Sequence, residues 1–199
     1  MIKNIIFDIG NVLADFCWKE YFASFGFTKE KNERIIKATV LSDEWDEFDR
    51  GAVPEEEIIK RFIANDPGCE EEIRLIAKDI KDMIKKFDYA IPWIQSFKAK
   101  GYKVYYLSNF SEKAKIECAE ALDFIPYTDG GILSYEVKLI KPEREIYEML
   151  LSRYDLKAEE CVFVDDRKRN CEGAEKVGIK AILFENKEQV ENELALLGI

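Results

Sequence analysis

The sequence contains no histidine among its 199 residues. This absence excludes Ser-His-Asp and Cys-His catalysis, phosphohistidine chemistry and zinc sites with histidine ligands. Any catalysis must therefore use carboxylates, lysine, hydroxyls, thiols or a bound metal ion.

Cysteine is sparse, and its spacing forms no recognised motif. The five cysteines are odd in number, dispersed along the chain and form no Cys-x-x-Cys pair. They are typical of reduced thiols, which indicates a cytoplasmic protein. The N-terminal stretch MIKNIIFDIG is too short and too interrupted for a signal peptide. No apolar run approaches the length of a membrane span, so we expect no membrane partner.

The chain lacks any long run of like charge, although its net charge is −10. An acidic chain repels nucleic-acid backbones at long range, so we expect no nucleic-acid partner. The hydrophobic content of 47% is enough to build a core and argues against disorder. A small anionic substrate is compatible with this charge if a cation neutralises the site. The oligomeric state is left open between a monomer and a small homo-oligomer.

Short apolar runs alternate with helical patterns along most of the chain. The runs lie at residues 5–7, 104–107, 161–164 and 181–184, and the predicted helices lie at 111–121, from 142 onward and at 170–177. Unbroken apolar runs of strand length suit parallel strands that are covered on both faces. The alternation predicts the α/β class, with a doubly wound and mostly parallel sheet.

Residues 17–87 do not follow this alternation. They contain no convincing strand, and Pro54 followed by three glutamates is a typical helix start. The apolar spacing after Glu70 predicts a further helix as far as Lys86. We therefore expect a helical cap at 17–87, inserted after the first strand, and a core formed by 1–16 plus 88–199.

Polar side chains follow the predicted strands or precede a predicted helix. These residues are Asp8, Ser108, Asn109, Lys141, Asp165 and Asp166. Loops and helix N-termini converge beyond the carboxyl ends of parallel strands, which is where ligands bind in such sheets. The sequence therefore predicts that these groups meet at one edge.

The residue types suit phosphoryl transfer. A carboxylate such as Asp8 can attack phosphorus and form an aspartyl-phosphate, which divides hydrolysis into two easier steps. Asp8, Asp165 and Asp166 would repel one another unless a cation binds, and oxygen ligands are those that Mg²⁺ prefers. Lys141 and Ser108 would neutralise and hydrogen-bond the phosphoryl oxygens.

The same residues belong to four motifs in a fixed order. The motifs are Phe7-Asp8-Ile9-Gly10-Asn11-Val12-Leu13, Leu107-Ser108-Asn109, Lys141-Pro142 and Phe163-Val164-Asp165-Asp166. This ordered set resembles the motifs of haloacid dehalogenase superfamily hydrolases, and the resemblance spans nearly the whole chain. It implies a Rossmann-like catalytic core with a helical cap after motif one, and a magnesium-dependent phosphatase acting on a small phosphorylated metabolite.

The resemblance also implies a role for each motif residue. Asp8, Ser108 and Lys141 would be catalytic. Ser108, Asn109 and Lys141 would bind the substrate phosphate. Asp8, the carbonyl of Gly10, Asp165 and Asp166 would hold Mg²⁺.

Gly10 departs from the usual Asp-x-Asp pattern of phosphatases in this superfamily. The second aspartate is the acid/base that protonates the leaving oxygen, and losing a general acid costs about 10²–10⁴-fold in rate. The Asp-x-Gly-Asn-Val pattern resembles the bacterial glucose-1-phosphate phosphatase subgroup, which favours a sugar phosphate. Asp15, expected in the following loop, is a candidate substitute for the missing acid.

Two alternatives remain open at this point. Because Gly10 cannot move protons, the chain can be a catalytically weak protein that binds or senses a phosphorylated ligand. Dehalogenases of the same superfamily also lack the second aspartate, but they need no metal. The adjacent pair Asp165-Asp166 has little purpose without one, so the phosphatase leads.

Overall fold

A five-stranded parallel sheet forms the centre of the protein, whose computed structural model describes residues 1–199. The strands in chain order are β1 (Asn4–Phe7), β2 (Ala14–Phe16), β3 (Ile84–Lys86), β4 (Lys103–Ser108), β5 (Gly130–Leu133), β6 (Cys161–Asp165) and β7 (Lys180–Leu183). The large sheet has the order β5-β4-β1-β6-β7, and every neighbouring pair in it is parallel. The predicted α/β class with a mostly parallel sheet is confirmed.

The central strands are buried on both faces, as their unbroken apolar runs predict. Every residue of β1 and β6 is buried. Ile5 and Phe7 join a large apolar cluster on one face, while Ile6 and Phe163 join a second cluster on the other. Successive side chains of a strand point to opposite faces, so an uninterrupted apolar run covers both.

Eleven α-helices surround the sheet or lie between β2 and β3. They are α1 (Trp18–Ser24), α2 (Lys29–Ala38), α3 (Asp43–Arg50), α4 (Glu55–Asn65), α5 (Glu70–Ala77), α6 (Ala90–Ala99), α7 (Glu112–Glu117), α8 (Ser134–Val137), α9 (Arg144–Arg153), α10 (Lys168–Lys176) and α11 (Lys187–Leu196). Short 3₁₀ turns lie at Pro67–Cys69, Lys81–Met83, Ala119–Leu122, Ile125–Tyr127 and Ala158–Glu160. None of the helices has the length and apolar character needed to cross a membrane.

The region 17–87 contains α1 to α5, but its end differs from the prediction. The helix expected from Glu70 to Lys86 ends at Ala77, and a 3₁₀ turn then leads into β3. Strand β3 pairs antiparallel with β2, which flanks the region on its other side. The expectation that 17–87 holds no strand is therefore wrong at 84–86, because local spacing cannot reveal a distant pairing partner. The division into a cap and a core stays a prediction.

Strand β5 lacks the unbroken apolar run that predicts the other core strands. Two of its four residues are Gly130 and Gly131, and glycine is disfavoured in strands. The pairing of Gly131 with Tyr106 explains this composition, since a Cβ on Gly131 would meet the Tyr106 ring and its carbonyl oxygen. The sheet therefore needs a glycine at position 131.

We expect Gly131→Ala to lower the free energy of unfolding by about 1–3 kcal/mol, the usual cost of overpacking. Its Cβ would lie 2.5 Å from the Tyr106 carbonyl oxygen. The matched control is Gly10→Ala, whose Cβ would meet nothing nearer than Phe16 Cβ at 4.0 Å. Urea titrations of both variants test this, and equal stability of the two would contradict the packing argument.

Candidate active site

The sheet register brings Asp8 and Asp165 together. Phe7 on β1 pairs with Val164 on β6, so the residues that follow them lie side by side. The backbone N–H of Asp8 donates to the Val164 carbonyl over 2.8 Å. Phe7 also pairs with Tyr106 on β4, and that strand ends at Ser108 on the same edge.

Lys141 lies at the centre of the charged cluster. Its ammonium is 2.8 Å from Asp8 Oδ1 and 2.6 Å from Asp165 Oδ2, and its side chain is only 1% exposed. Burial by itself lowers the pKa of Lys141, but the attraction of Asp165 and Asp8 outweighs it and raises that pKa. The lysine is therefore a permanent cation between the two carboxylates.

The Asp165 carboxylate is fully engaged by neighbouring donors. Oδ1 accepts from the Arg167 N–H at 2.8 Å and from Asn170 Nδ2 at 3.0 Å. Oδ2 accepts from Lys141 and from Asn170 Nδ2, at 2.6 and 3.0 Å. Since both oxygens are satisfied, Asp165 is held rigidly and has little remaining capacity for another ligand.

The Asp166 carboxylate is freer. Asn11 Nδ2 donates to its Oδ2 over 2.7 Å, and its Oδ1 has no protein hydrogen-bond partner. One oxygen from each of Asp8, Asp165 and Asp166 lies within 4.8 Å of the others. This donor set of closely spaced carboxylate oxygens fits the ligand preference of Mg²⁺.

Asp8 offers one engaged and one open oxygen. Its Oδ1 accepts from the Ile9 N–H at 2.7 Å and faces Lys141, while Oδ2 has no protein donor. Burial raises the pKa of Asp8 to about 7; Lys141 counteracts this, and Asp165 and Asp166 add to it. A bound cation favours the charged form, so it would keep Asp8 ionised at neutral pH.

Ser108 and Asn109 have different surroundings although both line the cleft. The Ser108 side chain is buried and its hydroxyl makes no hydrogen bond to another protein group. The Asn109 amide accepts from the Lys141 N–H at 2.7 Å and donates to the Lys141 carbonyl at 3.0 Å. Asn109 therefore positions the lysine.

Gly10 also lines the cleft, and the space beside it is open. A Cβ at this position would meet nothing nearer than Phe16 Cβ at 4.0 Å, so crowding at the Cβ does not explain the glycine. Asp15, the substitute expected in a loop, instead lies on β2 opposite Lys85 and is not part of the cleft wall. That strand position takes Asp15 away from the expected role.

Helix α3 closes the cleft from the side opposite the sheet. Trp45, Phe48 and Asp49 line it, because residues three and four apart share one face of a helix. Asp49 is not among the site residues that the sequence motifs predict. The signal that could have found it is the acidic residue inside Phe-Asp-Arg-Gly.

The end of α3 is hydrogen-bonded to the start of α8 and to the residue before α9, on either side of Lys141 in the chain. Ser134 Oγ donates to the Asp49 carbonyl at 2.5 Å and accepts from the Phe110 N–H at 2.8 Å. The Arg50 guanidinium forms two hydrogen bonds, of 2.9 and 2.7 Å, with the Glu143 carboxylate. Glu143 lies two residues beyond Lys141, so helix and site are held in one frame.

The fold and this site together define a protein of the α/β class with an aspartate, a buried lysine and a carboxylate cluster at the carboxyl edge of its sheet. The particular family is the haloacid dehalogenase-like hydrolases. That family's profile matches residues 2–178, so the chain belongs to it.

The chain is similar to several hydrolases and phosphatases whose names indicate different substrates. Flavin mononucleotide hydrolase 1 of Arabidopsis thaliana is 23% identical over 155 residues, which cover 78% of this chain and 62% of that protein. A sesquiterpene phosphatase of Aspergillus oryzae is 24% identical, covering 89% and 87%. A phosphorylated carbohydrates phosphatase of Thermotoga maritima is 22% identical, covering 91% and 84%. The chain thus spans less than two thirds of the plant hydrolase.

Solved structures agree on the fold. A haloacid dehalogenase family enzyme of Bacteroides thetaiotaomicron, in complex with magnesium and inorganic phosphate, has a TM-score of 0.68 at 22% identity, covering 96% of this chain and 99% of that one. The L-2-haloacid dehalogenase of Xanthobacter autotrophicus has a TM-score of 0.68 at 14% identity, covering 98% and 83%. Fold likeness therefore does not separate phosphatase from dehalogenase.

We expect Lys141→Met to lower the free energy of unfolding by about 3–5 kcal/mol, because it leaves Asp8 and Asp165 as uncompensated buried carboxylates. The control is Lys168→Met. Lys168 is 80% exposed and only 3.7 Å from Glu172, so its loss should cost less than about 1 kcal/mol. Urea titration at neutral pH measures both, and similar losses for the two lysines would contradict the central role of Lys141.

Proposed function

We propose that the protein is a magnesium-dependent phosphatase that acts on a small phosphorylated metabolite through an aspartyl-phosphate on Asp8. The observation that carries this proposal is the buried Lys141, which contacts both Asp8 and Asp165 at the edge of the sheet. A nucleophilic carboxylate beside a permanent cation suits attack on an anionic ester.

The chain's own residues provide the binding and the nucleophile. Asp8 Oδ2, which has no protein donor, attacks phosphorus while the bond to the leaving oxygen breaks. Ser108, whose hydroxyl is unpartnered in the cleft, donates a hydrogen bond to the phosphoryl group, and Lys141 neutralises part of its charge. Water then attacks the aspartyl-phosphate and releases inorganic phosphate.

We assign the metal to Asp8, the Gly10 carbonyl and Asp166, with Asp165 supporting from behind. Asp166 has a free oxygen, whereas both oxygens of Asp165 are already hydrogen-bonded. When bound, Mg²⁺ would offset the repulsion between the Asp8 carboxylate and the phosphoryl oxygens.

A sugar phosphate is the substrate class we favour. The wall of the cleft combines polar groups such as Asp8 and Ser108 with apolar side chains such as Trp45 and Phe48, which suits a small organic phosphate. One similar protein is named as a phosphatase of phosphorylated carbohydrates. We keep the cytoplasmic location as part of the proposal, supported by five free thiols that are all buried.

The two alternatives each have one supporting feature. A 2-haloacid dehalogenase would share the fold and the absence of a second aspartate. Because it needs no metal ion, it would not require the free oxygen of Asp166 as a ligand. A phospho-ligand binding or regulatory protein is favoured by Gly10, which supplies no acid. Phosphate release discriminates among all three.

We expect phosphate release from sugar phosphates, acyl phosphates or p-nitrophenyl phosphate with Mg²⁺, and loss of that release with EDTA. Asp8→Asn should abolish it, because an amide cannot form the phosphoenzyme. Asp15→Asn, the same change outside the cleft, should retain it. A panel without release above Asp8→Asn, followed by halide release from 2-haloacids, would transfer the assignment to a dehalogenase.

We expect Gly10→Asp to fold normally, because its Cβ has 4.0 Å of clearance from Phe16. If the natural chain turns over efficiently, the added acid should change kcat for its best substrate by less than about tenfold. A gain near the general-acid factor of about 10²–10⁴ would instead support the weak-turnover alternative. Steady-state kinetics with saturating Mg²⁺ measure the difference.

A further inference from the structure

The proposed reaction lacks a proton donor. Breaking an alkyl ester leaves an alkoxide that must be protonated, and neither Gly10 nor Ser108 is an acid of suitable strength. Among the residues of the cleft wall, one carboxylate outside the metal cluster has no assigned role. That residue is Asp49 on α3.

The position of Asp49 is fixed by the backbone around it. Its carbonyl accepts from Ser134, and the next residue, Arg50, is bound to Glu143. Ser134 begins α8 and Glu143 directly precedes α9, so the two contacts lie on either side of Lys141 in the chain. Asp49 lines the cleft from a helix that is held on both sides of the Lys141 segment.

The Asp49 carboxylate is free, unlike its neighbours on the helix. Asp46 is 3.3 Å from Arg169, and Glu47 is 2.9 Å from Arg50. Asp49 itself makes no ion pair or side-chain hydrogen bond, although it is partly buried. A carboxyl group in a cleft without a protein partner is available to a substrate.

The surroundings of Asp49 suit a proton donor near neutral pH. Burial raises its pKa to about 7, and the negative charges of Asp46 and Asp8 add to this effect. Arg167 and Lys141 face it from the core and partly oppose the shift. A carboxyl group whose pKa lies near neutral pH can both donate and accept a proton.

We propose that Asp49 is the general acid/base of this site and takes the role that the side chain at position 10 lacks. In the first step Asp8 Oδ2 bonds to phosphorus while the bond between phosphorus and the leaving oxygen breaks. The carboxyl proton of Asp49 passes to that leaving oxygen as it departs. In the second step the Asp49 carboxylate takes a proton from the water that attacks the aspartyl-phosphate, which restores the acid. This inference rests on the proposed function.

Leaving-group dependence tests the proposal. An alkyl or sugar phosphate needs protonation of its leaving oxygen, whereas an acyl phosphate or p-nitrophenyl phosphate departs readily without it. Because hydrolysis of the aspartyl-phosphate is common to both substrates, the acid role is measured by kcat/KM, which reports the steps up to departure of the leaving group. We expect Asp49→Asn to lower kcat/KM on the sugar phosphate by about 10²–10⁴-fold, and on p-nitrophenyl phosphate by less than about tenfold. Asp43→Asn, the same change at the exposed start of α3, should leave both rates unchanged.

Each other outcome overturns the proposal. Equal losses of kcat/KM on both substrates would indicate that Asp49 only binds or positions, and no loss on either would remove it from the reaction. Wild-type protein that hydrolyses neither substrate would reject the proposed function, and this inference with it. Urea midpoints of Asp49→Asn and wild type establish that the variant is folded.

A double variant gives a second, independent readout. Because the space beside Gly10 is open, we expect Gly10→Asp in the Asp49→Asn background to restore hydrolysis of the sugar phosphate by at least about tenfold. Rescue confined to the poor leaving group would support a shared acid/base role. Absence of rescue in a folded double variant, together with equal losses in the single variant, would assign Asp49 to structure.

Discussion

The ion pairs of Lys141 with Asp8 and Asp165 organise the whole site. They place a cation, itself almost wholly buried, at the point where β1 and β6 end. A buried charge is tolerated only when paired, so the loop that carries Lys141 must close onto the sheet. Asn109, which directly follows β4, hydrogen-bonds the backbone of Lys141, so β4 also helps to position the lysine.

Helix α3 gives the site its other wall. The contacts of Arg50 with Glu143 and of Ser134 with Asp49 link it to the segment around Lys141. In our account the sheet supplies the nucleophile and the groups for the phosphate, and the helix supplies the proton. In this account Gly10 needs no acidic side chain, because Asp49 on the opposite wall of the cleft acts as the general acid/base.

Much of this arrangement could be predicted because it depends on local signals. The apolar runs fix the strands, and the residues after them fix the edge at which Asp8 and Asp165 meet. Pairing between distant strands leaves no local signal, so the sequence predicts a helix where β3 lies and gives no indication of the glycine-rich β5. Asp49 was missed for the same reason: which helical residue faces the cleft depends on how α3 packs.

Direct detection of the covalent intermediate tests the central claim. Wild-type protein would be mixed with substrate and Mg²⁺, quenched in acid within a single turnover, and digested for peptide mass spectrometry. The account predicts one phosphoryl group on Asp8, absent from Asp8→Asn and from samples with EDTA. Phosphate release at normal rates without any phosphoryl group on Asp8 would contradict it, because water would then attack the ester directly.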